Sequence, residues 1–156
     1  ILAAVGGTNA LQAVKNAALS SNDQLKDVSS KLLGDWMTID AAPVLLNLAT
    51  SGPADKYQGR ALRGYIRIAR QFAMGEPERV AMIQNALMAS KQPADQKLIL
   101  PILEKFSSIE MLKIGIKMAG SSDLKEDATK TVLAVAKKLE GKPEVAKLLA
   151  EAGIKQ

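Results

Sequence analysis

The chain contains no cysteine and no histidine. Thiol nucleophiles, disulfides, cysteine- or histidine-based zinc sites and histidine acid–base catalysis are therefore excluded. Aromatic residues make up only 3%, too few for a β-sandwich or a base-stacking surface. No apolar run approaches the 18 or more residues of a membrane span. Neither a dinucleotide-binding nor a P-loop glycine pattern occurs: Gly6-Gly7 and Gly141-Lys142 lack partners at the required spacing and read as helix ends. No Asp-rich loop offers calcium-type ligation. Catalytic, metal and cofactor sites are all expected to be absent.

What remains is a folding chain of 156 residues, 47% apolar and 24% charged, with enough apolar surface for one compact core. A single domain over residues 1–156 is expected. It opens at Ile1 with neither Met nor a signal-like segment, so a fragment or module of a longer protein is expected. Ile1–Val5 then reads as the end of a helix whose partner was removed or lies upstream. Net charge is +5 and unevenly placed. Residues 1–59 hold four Lys against five Asp, whereas residues 60–156 hold seventeen basic against eleven acidic groups. A basic half reads first as a solubility feature, and otherwise as a surface for nucleic acid, anionic lipid or an acidic protein partner.

Apolar residues recur at helical spacing throughout, with no period-2 segment, so the chain is expected to be all-α. Its breaks repeat. Ser20-Ser21-Asn22-Asp23, Ser51-Gly52-Pro53-Ala54-Asp55, Ser90-Lys91-Gln92-Pro93-Ala94-Asp95 and Gly120-Ser121-Ser122-Asp123 each deliver an Asp to a helix start. An Asp there can accept from orphan N–H groups and favours the positive helix pole. Aligning the helices that follow places Leu33, Tyr65, Leu103 and Leu133 in register, at spacings of 32, 38 and 30 residues. The longer spacing fits an insertion around Gln71–Glu78. A helical-hairpin period in this range is the mark of an α-solenoid.

Asn22-Asp23 with Leu25-Lys26, followed by Leu32-Leu33-Gly34, resembles HEAT-type repeats. Hairpins then cover residues 8–21 with 23–37, 40–51 with 55–72, 77–90 with 95–106 and 108–120 with 123–140, and residues 143–153 make a terminal half-repeat. The resemblance implies a right-handed superhelix of about four HEAT-like hairpins, with second helices lining the concave face. It also implies a non-catalytic protein-interaction scaffold, or a helical module of a larger bacterial protein, cytoplasmic or exported. Some HEAT-like proteins are bilin lyases or DNA glycosylases, so a nucleic-acid-binding or repair protein is the second reading. Pro101 falls where the sixth helix would be continuous, which predicts a kink or late start.

Candidate sites are few. Glu126-Asp127 fall in a first helical turn, where acids favour the dipole. Trp36 and Asp40 have an i, i+4 spacing similar to a glycosylase base cradle, but Asp40 falls beyond the helix end and Trp36 aligns with inward positions. A core tryptophan is expected. The six methionines sit at core spacing and are also read as packing.

The arginines carry the functional reading. Arg60, Arg63, Arg67 and Arg70 share one helix and an arc of roughly 80°. Tyr57, Leu62, Tyr65, Ile66 and Ile68 fill its other side. Register aligns Asp35, Arg67, Lys105 and Val135, and one turn on Thr38, Arg70, Ser108 and Lys138. Arg60, Arg63, Arg67, Arg70, Lys105 and Lys138 are therefore expected to form a concave basic stripe. The stripe would bind an acidic segment of a partner protein or of the same polypeptide. Pairing of Arg67 with Asp35 is the competing, purely structural expectation.

Overall fold

A computed structural model describes residues 7–155. All secondary structure among the described residues is helical. The expectation for Ile1–Val5 lies outside them. The chain divides into two compact units, residues 1–91 and 92–156.

The first unit contains α1 (Thr8–Ala18), α2 (Asp23–Gly34), a 3-10 turn (Ile39–Ala41), α3 (Ala42–Ser51), α4 (Asp55–Gln71) and α5 (Glu76–Ala89). Helices pack with their neighbour or next-but-one: α1 on α2, α3 on α4, α2 on α4, and α5 on both α3 and α4. Leu33, Trp36, Leu45, Ile68 and Ile83 form its fully buried centre. α4 is the organising helix, with Ala61, Leu62, Tyr65, Ile66, Ile68 and Ala69 all buried on one side. Burying side chains of this size contributes about 1.5–3 kcal/mol each for the larger ones.

The second unit contains α6 (Pro93–Lys97), α7 (Leu100–Lys105), α8 (Ile109–Ala119), α9 (Lys125–Lys138) and α10 (Pro143–Glu151). It follows the same packing rule, with α7 on α8 and α9, α8 on α9, and α10 on α8. Ile99, Ile102, Leu103, Met111, Leu112, Leu124 and Val132 are fully buried. The late start expected at Pro101 is present: α6 stops at Lys97, and α7 begins at Leu100 with Pro101 in its first turn. There the missing N–H leaves no bond unmade.

Several expectations need correction. The aspartates of the repeated turns are not caps. Asn22 caps α2, its Oδ1 accepting from the Leu25 N–H at 3.0 Å, while Asp23 and Asp55 sit inside first turns and act on the helix pole through space. Ser108 is the corresponding cap of α8. Of the register residues, Leu33, Tyr65 and Leu103 are buried, but Val132 takes the fully buried place beside Leu133, which is partly exposed. Met82, Met111 and Met118 are core, whereas Met37 and Met88 are 57% and 78% exposed. Helical spacing assigned them inward. Met37, however, lies after the end of α2, and Met88 lies on the open side of α5's last turn.

Close helix approach depends on glycine in both units. At Gly64 a Cβ would lie 2.9 Å from the Gly34 Cα and 3.2 Å from a Leu45 methyl. At Gly115 a Cβ would meet Val132 at 3.0 Å. Gly59, one and a half turns before Gly64, is different, since nothing lies nearer than the Arg63 guanidinium at 3.6 Å. Gly64→Ala should therefore destabilise the chain by about 1–3 kcal/mol through overpacking. Gly59→Ala should stabilise it by about 0.5–1 kcal/mol by removing backbone freedom from the unfolded helix. Urea unfolding of the two variants should give shifts of opposite sign.

Candidate functional site

The basic side of α4 is built on the end of α2. Gly34 and Gly64 bring the two helices together, and long side chains one turn to either side reach across. Arg60 donates from Nη1 to the Asp27 carbonyl at 3.0 Å and to Ser30 Oγ at 2.5 Å. Both of its Nη atoms reach Asp27 Oδ1 at 3.2 Å. Arg67 donates from Nε to the Gly34 carbonyl at 3.1 Å, from Nη2 to the Trp36 carbonyl at 2.5 Å and from Nη1 to Gln71 Oε1 at 3.1 Å.

The expected pairing of Arg67 with Asp35 does not form; Arg67 is held by backbone carbonyls instead. It straddles Asp35 and bonds the carbonyls on either side, which are orphan acceptors at a helix C-terminus. A cation there also suits the negative helix pole. Trp36 is fully buried, its Nε1–H donating to Thr38 Oγ1 at 2.9 Å, and Thr38 donates to Asp40. The Trp36–Asp40 pair therefore locks a turn and presents no open aromatic wall.

Asp27 is the electrostatic centre of the crossing. Its carboxylate lies 2.8 Å from Lys31 Nζ, 2.9 Å from Lys56 Nζ and 3.2 Å from Arg60 Nη1. Hydrogen bonds from Lys31 and then Lys56 and Arg60 hold its carboxyl far below the usual carboxylate range. Asp27 in turn raises the pKa of Lys56.

The remaining candidates divide. Arg63 and Arg70 stand on the exposed side of α4. Lys105 is exposed in the second unit, its ammonium 5.0 Å from the Phe106 ring. Lys138 donates to the Glu104 carbonyl at 2.8 Å and lies 3.6 Å from its carboxylate, securing the end of α7. The structure thus brings Arg60, Arg63 and Arg67 to one place with Lys31 and Asp35, around an open pocket of about 230 Å3. Arg70 lies outside that lining.

Sequence reasoning missed three participants. Lys31 and Asp27 read as ordinary polar positions on α2. Arg79 was passed over although it is only 4% exposed. Its guanidinium donates to the carbonyls of Ala69 and, at 3.2 Å, Phe72, closing the end of α4. Burial lowers its pKa, and the bonded carbonyls offset the cost of that desolvation. Its place at the head of an i, i+3, i+4, i+7 series with Met82, Ile83 and Ala86 was the available signal.

Arg67, Arg79 and Lys138 thus do the same work: each satisfies the last carbonyls of a helix from a helix packed against it. The offset recurs as well. Arg60 meets Asp27 and Arg67 meets Gly34 across 33 residues, Lys91 meets Gln58 across 33, and Lys138 meets Glu104 across 34.

Replacing Arg67 by Gln should cost about 1–3 kcal/mol, since the Gly34 and Trp36 carbonyls lose charged donors. Arg67→Lys should recover only part of that, because one ammonium cannot reproduce the planar fork. Denaturant midpoints check both. Asp27, whose folded pKa is depressed, stabilises the α2–α4 crossing above the unfolded value near 3.9 and loses that contribution as pH falls further. The stability difference between wild type and Asp27→Asn should accordingly be constant above pH 5, begin to shrink as pH falls below about 4, and vanish only as the strongly depressed folded value is approached.

No helix among the described residues is long and apolar enough to cross a membrane. No family model matches the chain, no curated protein matches it in sequence, and no solved structure matches its fold.

Proposed function

We propose that each unit is a stretch of HEAT-like hairpins and that the chain is a non-catalytic interaction scaffold for an acidic segment of a protein partner. Two features support the repeat reading. Helices pack only with their neighbour or next-but-one among the principal contacts, as in arrays where each repeat touches adjacent repeats. Side-chain contacts between helices also recur at offsets of 30 to 36 residues in the first unit and 30 to 34 in the second.

The observation that carries the binding reading is the polar side of α4. Arg60, Arg63 and Arg67 line one pocket with Lys31, opposed by the single carboxylate of Asp35. Arg70 extends the charge along the exposed side of the helix. Arg60 and Arg67 hold α2, while Arg63 and Arg70 lie on the exposed side of the helix. Arginine suits an acidic segment because its fork grips a carboxylate bidentately. In the second unit, Lys105 and Lys138 are the proposed contacts. With no histidine or cysteine, acid–base and covalent chemistry would fall to carboxylates, lysines, tyrosines and the serine and threonine hydroxyls.

A fluorescent glutamate-rich peptide should bind at low salt and weaken as salt rises. Arg63→Gln combined with Arg70→Gln should weaken binding at least tenfold while moving the melting temperature little, as exposed substitutions do. Absence of peptide binding at low salt would sink the proposal. Tighter binding to duplex DNA than to the peptide would replace it with the nucleic-acid reading.

A further inference from the structure

The α2–α4 crossing has a property that a generally basic surface lacks. Because Gly64 carries no side chain, its backbone meets that of Gly34 at the floor, and long side chains from both helices surround the contact. The resulting pocket, about 230 Å3, is lined by Lys31, Gly34, Asp35, Arg60, Arg63, Gly64 and Arg67. Four cations face one carboxylate, and leaving Arg63 out still leaves three. Asp27 does not redress the balance: with Asp27 and Lys56 both counted and Arg63 left out, Lys31, Lys56, Arg60 and Arg67 still face only Asp27 and Asp35, a surplus of two.

Arg67 adds most to the surplus. Its three bonds go to the neutral oxygens of Gly34, Trp36 and Gln71, so they fix the guanidinium without neutralising it. Three of its five N–H groups are engaged there, and two remain for a further acceptor. Arg60 is held equally firmly, by Asp27 and Ser30. The donors are thus set in place before any ligand arrives, which removes much of the ordering cost of binding.

We propose that this pocket holds a phosphate monoester carried by the partner protein, as the anchor of the acidic segment; this rests on the reading of α4 as the interface. The surplus is at least two positive charges. A phosphate monoester supplies about −1.5 to −2 at neutral pH and three acceptor oxygens, whereas a carboxylate supplies a single charge. The pocket is smaller than the roughly 300–1,000 Å3 of a site for a drug-sized ligand, and so matches one compact group. Asp35, exposed at the rim, opposes any anion and sets a limit on affinity.

The test begins with inorganic phosphate added to the full chain at constant ionic strength, following backbone amides by NMR against a chloride-matched control. Saturable shifts should centre on residues 31–36 and 60–67. Asp35→Asn should tighten phosphate binding several-fold, a gain that unfolding cannot mimic. Lys31→Gln should weaken it about fivefold to tenfold, with the remaining spectrum unchanged. Linear shifts equal to those with chloride, or a phosphate affinity indifferent to both variants, would overturn the proposal.

A phosphoserine peptide and its glutamate counterpart then separate the two readings. The phosphopeptide should bind at least tenfold tighter, and inorganic phosphate should displace it. Equal binding of the two peptides, with no displacement by phosphate, would overturn the phosphate anchor and leave the acidic-segment reading standing. Binding of neither would end both. Duplex DNA outcompeting the phosphopeptide would show that the phosphate belongs to a nucleic acid and overturn the protein-borne ester.

Discussion

The first unit depends on one close approach. Where α2 and α4 cross, Gly64 lies so near the Gly34 backbone that there is no room for a Cβ on Gly64. That distance lets Arg60 reach the Asp27 and Ser30 oxygens and lets Arg67 reach past the last turn of α2 to the Gly34 and Trp36 carbonyls. Arg67 in turn anchors the chain where it leaves the helix, just as Trp36 enters the core. Glycine here gives up helix propensity of about 1 kcal/mol per position. The close approach returns it as packing and as charged hydrogen bonds to carbonyls that would otherwise lack partners.

This explains how four arginines tolerate one helix face. Like charges at i, i+3 and i, i+4 repel by a few tenths of a kcal/mol per pair. Arg60 is paired with Asp27, and Arg67 lies against the negative pole of α2, so two of the four have favourable partners while still lining the same pocket. Asp27 alone serves three cations, which is why its carboxyl resists protonation. Charge on α4 is therefore partly structural and partly presented to solvent, in adjacent residues of a single helix.

The same device closes other helices without repeating the same sequence. Arg79 ends α4 from inside the first unit's core, and Lys138 ends α7 from the surface of the second unit. The burial of each donor sets its chemistry. A lysine serves where water completes its solvation. An arginine is used where the group is almost wholly enclosed, because it is more weakly hydrated and stays charged.

Much of the architecture was legible in the sequence. Helical periodicity alone excludes strands, and Pro101 marks where α7 starts because a residue without an N–H fits only a first turn. The amphipathic division of α4 also follows from spacing, with its apolar side buried and Arg63 and Arg70 exposed. Periodicity assigns a residue to a helix face but says nothing of which neighbour that face meets. Only the tertiary structure decided that Arg67 would bond backbone carbonyls instead of the Asp35 carboxylate, that Met88 would face solvent, and that Arg79 would be enclosed. It also decided that Lys31 would join the arginines around a pocket. Backbone carbonyls carry no residue-type signal, and glycine contacts between helices are set by how closely two axes approach. Partners of both kinds are invisible in the order of side chains and exist only once the helices are packed.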